Sequence, residues 1–282
     1  MTMETADVAA IGGGAAGLAT AIFCARHAPQ LRLVVLDGQR KPGSKILVSG
    51  GGRCNVTNRV VTERDFWGSS PRSVRAVLRA FSAEDAARFF GEIGVVLHEE
   101  EDGKLFPDSH RARTVLDALL GELARVGVTL ASGCRVTDVR KSGDGFEIDT
   151  SEGATRAARA VVLATGGRSL PKTGSDGIGY EIARRLGHSY VETTPALAPL
   201  LLNGDRHARL SGVSHTAALT LRVKGRNQIR LEGSLLWTHF GISGPLALNL
   251  SRHWNRARLE GEQPETVLSL CPRSEEHTSE LQ

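Results

Sequence analysis

Apolar and polar positions near the N-terminus fall into a strand, a turn, a helix and a second strand. Val8 to Ile11 is a short apolar run, a glycine turn follows, and an alanine-rich helical stretch extends from about Ala15 to His27. The run "LRLVVLD" is a second apolar strand ending at Asp37. This succession within about thirty residues predicts a βαβ unit, whose parallel strands require a helical crossover. Residues 38–70 hold many Gly, Ser, Asn and Arg with little periodicity, and a stretch so long without elements is usually functional or disordered.

Helical patterns come next, over about 70–81 and then over "SAEDAARFFGEIG". There Ser82 is the expected N-cap, acids occupy the first turn and Gly94 stands near the end. Val115, Leu116, Leu119, Leu120 and Leu123 repeat at three and four residues, which predicts a third helix. Strand-like runs follow, with "GDG" at 143–145 as a hairpin turn and "AVVLATGG" as a buried strand running into glycines. "SDGIGYEIARRLGH" reads as a helix with Asp176 near its start and Gly187 at its end. From Pro195 the pattern changes. "PALAPLLL", "HTAALTLRVKG" and "IRLEGSLLW" read as strands of a different layer, and "GISGPLALNLSRHWN" as a glycine-proline turn before a helix. No internal repeat or low-complexity tract is present.

Composition narrows the class without changing the pattern. The 282 residues are 40% hydrophobic and 23% charged, as expected of a soluble globular chain. No run of about 18 apolar residues exists, so no transmembrane helix is expected. The first residues lack a basic region and a cleavable apolar stretch, so no signal peptide is read and a cytoplasmic location is expected. The formal charge of +4 and pI of about 9.1 come from positives spread along the chain, which favours a solvated surface over a nucleic-acid patch. Cys24, Cys54, Cys134 and Cys271 are far apart and form no C-x-x-C pair, so neither a zinc site nor a dithiol pair is suggested. His98, His110, His207 and His215 show no pairing that suggests metal ligation.

Gly12, Gly14 and Gly17 form G-x-G-x-x-G after a strand and open a helix through Ala15 and Ala16, and Asp37 ends the next strand. In a dinucleotide site the first glycine permits the turn, the second lets a pyrophosphate approach the backbone, and the third lets helix and strand pack closely. The helix N-terminus offers its free N–H groups to phosphates. An acid at position 37 accepts from both ribose hydroxyls and disfavours a 2′-phosphate. The alternative is a purely structural turn. Thr165, Gly166 and Gly167 stand just past a strand end, where α/β sheets bind ligands, or form an ordinary strand-to-loop turn.

The stretch "GSKILVSGGGRCNVTN" (43–58) resembles the signature of the YhiN/BaiN-like flavoprotein family, which includes the aminoacetone-oxidase-family FAD-binding enzymes. "VVLATGGRSLPKTGSDGIGYEIARRLGH" (161–188) and "LLWTHFGISGP" (235–245) resemble further blocks of that family in the same order. The resemblance implies an α/β fold: a Rossmann-like FAD-binding domain of the two-dinucleotide-binding-domain type over 1–192, with an inserted β-rich second domain over 193–272. It implies that Ser49, Gly50, Gly51 and Gly52 lie against FAD, where β-carbons would collide with the cofactor. Arg53 would donate to a phosphate or to reduced flavin, and Asn55 would offer a donor and an acceptor. For Arg53 and Asn55 the alternative is loop-closing hydrogen bonds. Cys54 is either a catalytic thiol or a buried filler. "CRVTDV" is similar to the strand whose backbone meets adenine in such folds, which would make Val136 the contact. His239, with Trp237 and Phe240, would shape a substrate cavity and supply a proton, or else is a structural histidine.

The function so implied is an FAD-dependent oxidoreductase using NAD(P)H, with hydride passing through flavin N5 to or from a small organic substrate. The alternatives are a flavoprotein acting on RNA and a non-catalytic FAD scaffold. Gly174, Gly177 and Gly179 have the wrong spacing for a second dinucleotide fingerprint, so nicotinamide use rests on the resemblance. These motifs specify neither the substrate nor the oligomeric state. Family members also return to the first domain through a further glycine-rich block that this sequence lacks. The last ten residues, "RSEEHTSELQ", resemble the in-frame translation of a common short-read sequencing adapter. A non-native tail at 273–282 is therefore expected, and so is poor FAD binding by the shortened chain or its aggregation through an exposed sheet edge.

Overall fold

The computed structural model describes residues 5–68 and 70–272, so the expected non-native tail at 273–282 lies outside the described residues. The chain forms two units, Met1–Tyr190 and Val191–Gln282.

The first unit begins with β1 (Thr5–Ile11), α1 (Ala15–His27), β2 (Leu33–Asp37), α2 (Ser44–Val48) and β3 (Thr57–Asn58). It continues through α3 (Pro71–Ala80), α4 (Ala83–Glu92), β4 (Leu97–Glu99), β5 (Lys104–Pro107) and α5 (Ala112–Arg125). It closes with β6 (Thr129–Ser132), β7 (Val136–Ser142), β8 (Gly145–Thr150), β9 (Thr155–Leu163) and α6 (Ile178–Arg185). Six strands form one sheet in the order β6-β2-β1-β9-β8-β7. β6, β2, β1 and β9 are parallel, and β8 runs antiparallel to both β9 and β7. Strand alternation sends Ala10 and Val35 to one face, where they pack with Leu18, Ile22, Leu116 and Leu119 of α1 and α5. Ala9, Ile11 and Leu36 go to the other face and meet Val139, Ile148 and Ile182. Burial on both faces is why Val8–Ile11 of β1 and Leu33–Leu36 of β2 read as unbroken apolar runs. Each fully buried Leu or Ile contributes roughly 1.5–3 kcal/mol.

Local signals hold where the sequence carried them. Asp85 N donates to Ser82 Oγ at 3.1 Å and Ser82 N donates to Asp85 Oδ2 at 2.9 Å, a reciprocal cap on α4. Ser142 pairs with Gly145 across the expected hairpin, with Gly143 in the left-handed region at φ +55°. The stretch 38–70, expected to lack elements, instead carries α2, a 3₁₀ turn over Ser49–Gly52, and β3. These pieces are two to five residues long, too short to display a period. β3 joins β5 and β4 in a separate antiparallel sheet ordered β3-β5-β4.

The second unit contains β10 (Leu200–Leu201), β11 (Ser214–Val223), β12 (Arg226–Thr238), β13 (Gly241–Ser243), α7 (Gly244–Leu259) and β14 (Glu265–Ser269). Its antiparallel sheet runs β10-β13-β12-β11-β14, with Ala217, Leu219, Leu221 and Leu235 packed on Leu246, Ala247 and Leu250 of α7. "PALAPLLL" contributes only Leu200–Leu201 to that sheet, because Pro195 and Pro199 have no N–H for a ladder. "GIS" is strand rather than turn; Gly244, at φ +83°, and Pro245 start α7 directly after it. Among the described residues no helix is long and apolar enough to cross a membrane.

Candidate functional site

Strand order in the large sheet reverses between β1 and β9: the chain runs from β1 outward to β2 and β6 on one side, and β9 lies on the other. In open α/β sheets the crevice beyond the strand ends at such a point is where ligands bind. The loop there is built from contacts that only glycine allows. Gly12 N donates to Leu36 O at 2.8 Å with φ +114°, and Ala164 N donates to Ile11 O at 2.8 Å. A β-carbon on Gly12 would overlap the carbonyl oxygen of Ala164, and one on Gly17 would overlap the carbonyl oxygen of Gly12. Gly14 is different, since a β-carbon there would meet nothing within 4 Å. Two of the glycines pack the backbone and the middle one faces open space.

Asp37 fastens this loop to β2. Its Oδ2 accepts from Gly13 N at 2.5 Å and its Oδ1 accepts from Gln39 N at 2.6 Å, and the residue is buried. Each carboxylate oxygen has a second lone pair, so the group retains acceptor capacity for another partner. Gly14 is the N-cap of α1, which has no side-chain cap and no acid in its first turn. The first N–H groups of a helix have no partner inside it, and its dipole is positive at that end, so the start of α1 is open to an anion.

A cavity of about 740 Å³ opens onto this loop, within the range of sites for sizeable ligands. Of the residues expected from the sequence, Gly12, Gly14, Ala15, Ala16 and Asp37 line it, as do Ser49, Cys54, Asn55, Val136, Thr165 and Gly166. Its apolar part is formed by Phe23, Phe81 and Phe89, whose rings meet at 4.8–5.2 Å.

The remaining expected residues sit elsewhere. Gly17 packs α1 on the loop. Gly50, Gly51 and Gly52 are not among the lining residues; they take φ of +54°, +68° and +85°, three successive left-handed positions. That backbone conformation accounts for three adjacent glycines. The guanidinium of Arg53 donates to Glu100 Oε1 at 2.6 Å and lies 4.2 Å over the Phe106 ring, so it closes the loop on the small sheet. A β-carbon on Gly167 would stand 2.9 Å from Tyr180 Oη, which makes Gly167 a packing position. Cys54 is buried, and burial pushes its thiol above the ordinary cysteine range against a smaller opposing effect of a hydrogen bond with Ser49. It is a thiol rather than a thiolate at neutral pH. His239 belongs to the second unit, in the turn between β12 and β13, edge-on to Phe240 at 4.9 Å. Trp237, expected to shape a substrate cavity with His239, donates its Nε1–H to His215 Nε2 at 2.9 Å.

Two features escaped sequence reasoning. Lys45 lines the cavity, with Nζ 3.7 Å from the point where a β-carbon on Gly166 would stand. It lies in the quoted loop but belongs to no spacing pattern. His98 and His110, which show no pairing in the sequence that suggests metal ligation, are brought together with Glu100 by the pairing of β4 with β5.

The HI0933-like protein Rossmann domain model matches residues 6–243. The chain is 34% identical over 266 residues to the 3-dehydro-bile acid delta(4,6)-reductase of Clostridium scindens, covering 94% of this chain and 64% of that protein. It is 34% identical over 254 residues to the ribosomal RNA dihydrouridine synthase of Escherichia coli K12, covering 89% and 62%. Among solved structures it is similar to the 3-ketosteroid-delta4-(5alpha)-dehydrogenase of Rhodococcus jostii RHA1 in complex with 4-androstene-3,17-dione. That match has 17% identity and a TM-score of 0.49 and covers 66% of this chain and 55% of the other. The chain spans less than two thirds of the length of both curated relatives.

Proposed function

The chain belongs to the HI0933-like Rossmann-domain family, and on that premise we propose that it is the dinucleotide-binding part of an FAD-dependent oxidoreductase. The observation that carries the reading is Gly14: it is bare, has open space around it, starts α1 at the switch point of the sheet, and borders a cavity that Asp37 also lines. A pyrophosphate fits there because no β-carbon blocks the helix N-terminus. In this reading the N–H groups of Gly14, Ala15 and Ala16 hold the phosphates, Asp37 takes the ribose hydroxyls, and Val136 lies against adenine. Ser49, Asn55, Thr165 and Gly166 line the part toward the flavin, and Lys45 adds the cation that the loop itself lacks. Gly50–Gly52 keep their backbone role, and Arg53 serves through Glu100 rather than through the cofactor.

When bound, FAD supplies a two-electron hydride donor at N5. Cys54, kept protonated by burial, serves as filler beside it and not as a nucleophile. Asn55 presents a donor and an acceptor with which to orient a carbonyl. The rings of Phe23, Phe81 and Phe89 give the cavity an apolar wall for the non-polar body of a substrate.

The names of the two relatives share one chemical change: a carbon–carbon double bond conjugated to a carbonyl becomes saturated. We therefore assign this chain to the reduction of such a bond in a small organic substrate, with NAD(P)H as electron source. The second reading, favoured by the name of the Escherichia coli relative, is a uridine within RNA. The test is to purify the protein, record its absorbance spectrum, and titrate it anaerobically with NADH and NADPH. Reduced protein is then mixed with a conjugated ketone and, separately, with ribosomal RNA. A mass gain of two hydrogens on the ketone supports the first reading, and dihydrouridine in digested RNA supports the second. A protein that takes up no flavin even from excess added FAD sinks both.

A further inference from the structure

The small sheet carries a cluster that the cavity does not use. His98 lies on β4 and Glu100 follows β4 by one residue, so strand alternation gives the two the same side. β5 pairs antiparallel with β4, placing His98 opposite Phe106. The chain then turns, with His110 N donating to Pro107 O at 2.8 Å. That turn sets the imidazole of His110 beside that of His98, with ring centroids 4.7 Å apart. One ligand atom from each of His98, Glu100 and His110 lies within 4.8 Å of the others. Glu100 Oε1 is 3.2 Å from His98 Nε2 and 3.9 Å from His110 Nδ1. The other ring nitrogen of His98, Nδ1, is 3.0 Å from Asp108 Oδ1.

We propose that His98, Glu100 and His110 form a binding site for a divalent first-row transition metal of the zinc class, with Asp108 orienting His98. Two imidazoles and one carboxylate are the donor set that such ions prefer over magnesium or calcium. Around a tetrahedral ion with bonds of about 2.0–2.1 Å, neighbouring donor atoms stand roughly 3.4 Å apart. The distances of 3.2 and 3.9 Å to Glu100 straddle that spacing. The His98–His110 separation closes by rotation of side chains that are half-buried and exposed respectively. Metal-bound histidines usually give their second nitrogen to a carboxylate, and His98 makes that contact with Asp108. Three protein ligands leave a fourth position for water or a substrate oxygen, the pattern of an open site rather than a closed structural one.

The guanidinium of Arg53 already donates to Glu100 Oε1 at 2.6 Å. Ion and guanidinium therefore contend for one carboxylate, although its second oxygen allows both to be held. Loss of the Arg53 charge should tighten metal binding, a result that a mere ion-pair network would not give.

The experiment is calorimetric titration of metal-stripped protein with ZnCl2, paired with the visible spectrum after addition of CoCl2. One equivalent of zinc should bind with micromolar or tighter affinity, and cobalt should show the strong visible bands of tetrahedral ligation. His98→Ala and His110→Ala should each weaken binding by at least about tenfold, and Asp108→Asn by about 10- to 100-fold. Arg53→Gln should strengthen it, and His188→Ala, outside the cluster, should leave it unchanged. Far-UV circular dichroism identifies any variant that fails to fold, and for that case the cobalt spectrum of the unsubstituted protein decides alone. A spectrum identical to that of aqueous cobalt, or zinc affinity unchanged in the folded His98→Ala and His110→Ala proteins, overturns the proposal.

Discussion

The carbonyl oxygen of Ala164, past the end of β9, occupies the space that a side chain on Gly12, past the end of β1, would need. The two strand ends therefore close on each other only while residue 12 is bare. Gly12→Ala must push β9 away and hold alanine at φ +114°. Overpacking and left-handed strain together should cost about 3 kcal/mol or more. Gly14→Ala is the contrasting change: φ −86° suits alanine and no atom lies within 4 Å of its β-carbon. Its stability should stay within about 0.5 kcal/mol of the parent, while FAD affinity falls by about tenfold or more, or roughly 1.4 kcal/mol. Urea unfolding and FAD affinity, titrated through flavin fluorescence, separate the two effects. A Gly14→Ala protein that keeps its flavin as well as the parent removes Gly14 from the phosphate site.

Asp37 has a double task in this reading, and substitution should expose both parts. Asp37→Ala leaves the N–H groups of Gly13 and Gln39 without their acceptor, at a cost of about 1–3 kcal/mol for each that stays dry. Asp37→Asn keeps one acceptor and turns an NH2 group toward the other N–H. The asparagine protein should therefore be of intermediate stability. Both should lose FAD affinity, because the ribose acceptor is lost or halved. Urea midpoints for both variants equal to that of the parent would show that the loop is not fastened through this carboxylate.

The parts of the fold that the sequence announces are those decided within a few residues. Ser82 and Asp85 form their reciprocal cap three residues apart, Gly143 supplies the left-handed turn of a two-residue hairpin, and α1 runs over the predicted span from Ala15 to His27. Gly12, Gly14 and Gly17 were legible for the same reason, as was Asp37 at the end of β2. What stayed hidden depends on chain segments far apart. Arg53 meets Glu100 across 47 positions, so a motif that suggested a phosphate contact could not reveal an internal partner. His98 and His110 come together only when β5 pairs with β4, and neither three-to-four-residue strand is long enough to show a period. Gly50–Gly52 read as a ligand surface because glycine serves close approach and left-handed backbone alike; the observed angles establish the second use and leave the first to be tested.

Thiol chemistry should divide the cysteines by burial. Cys271 is exposed, whereas Cys54 and Cys134 are buried. Burial also holds the Cys54 thiol above the ordinary range, and the thiolate is the reactive form. Iodoacetamide at neutral pH should therefore alkylate Cys271 first and Cys54 only slowly in folded protein, with the difference erased in urea. Peptide mass spectrometry of timed samples gives the order directly. Fast labelling of Cys54 in the folded chain would contradict a filler role and reopen it as a nucleophile.

Stability in acid should follow one buried carboxylate. Glu122 on α5 is 7% exposed and accepts from Arg125 Nε at 2.6 Å, Arg125 Nη2 at 2.7 Å and Arg26 Nε at 2.7 Å. The hydrogen bonds from Arg125, opposed by burial and reinforced by Arg26, hold its carboxyl at about 2 against the ordinary 4.5. As pH falls, the unfolded chain takes up this proton before the folded one does. The stabilising contribution is therefore complete above about pH 4.5 and fades between there and pH 2. The full shift corresponds to roughly 3 kcal/mol. Because the Arg125 side chain is 67% exposed and screened by water, the realised share should be nearer to about 2 kcal/mol. Glu122→Gln should unfold at lower urea than the parent at pH 7, by that amount, and the two should converge as pH approaches 2. Urea midpoints at pH 7, 5, 4 and 3 follow the convergence. A gap that stays constant across the series would mean that Glu122 stabilises the chain through packing and not through its charge.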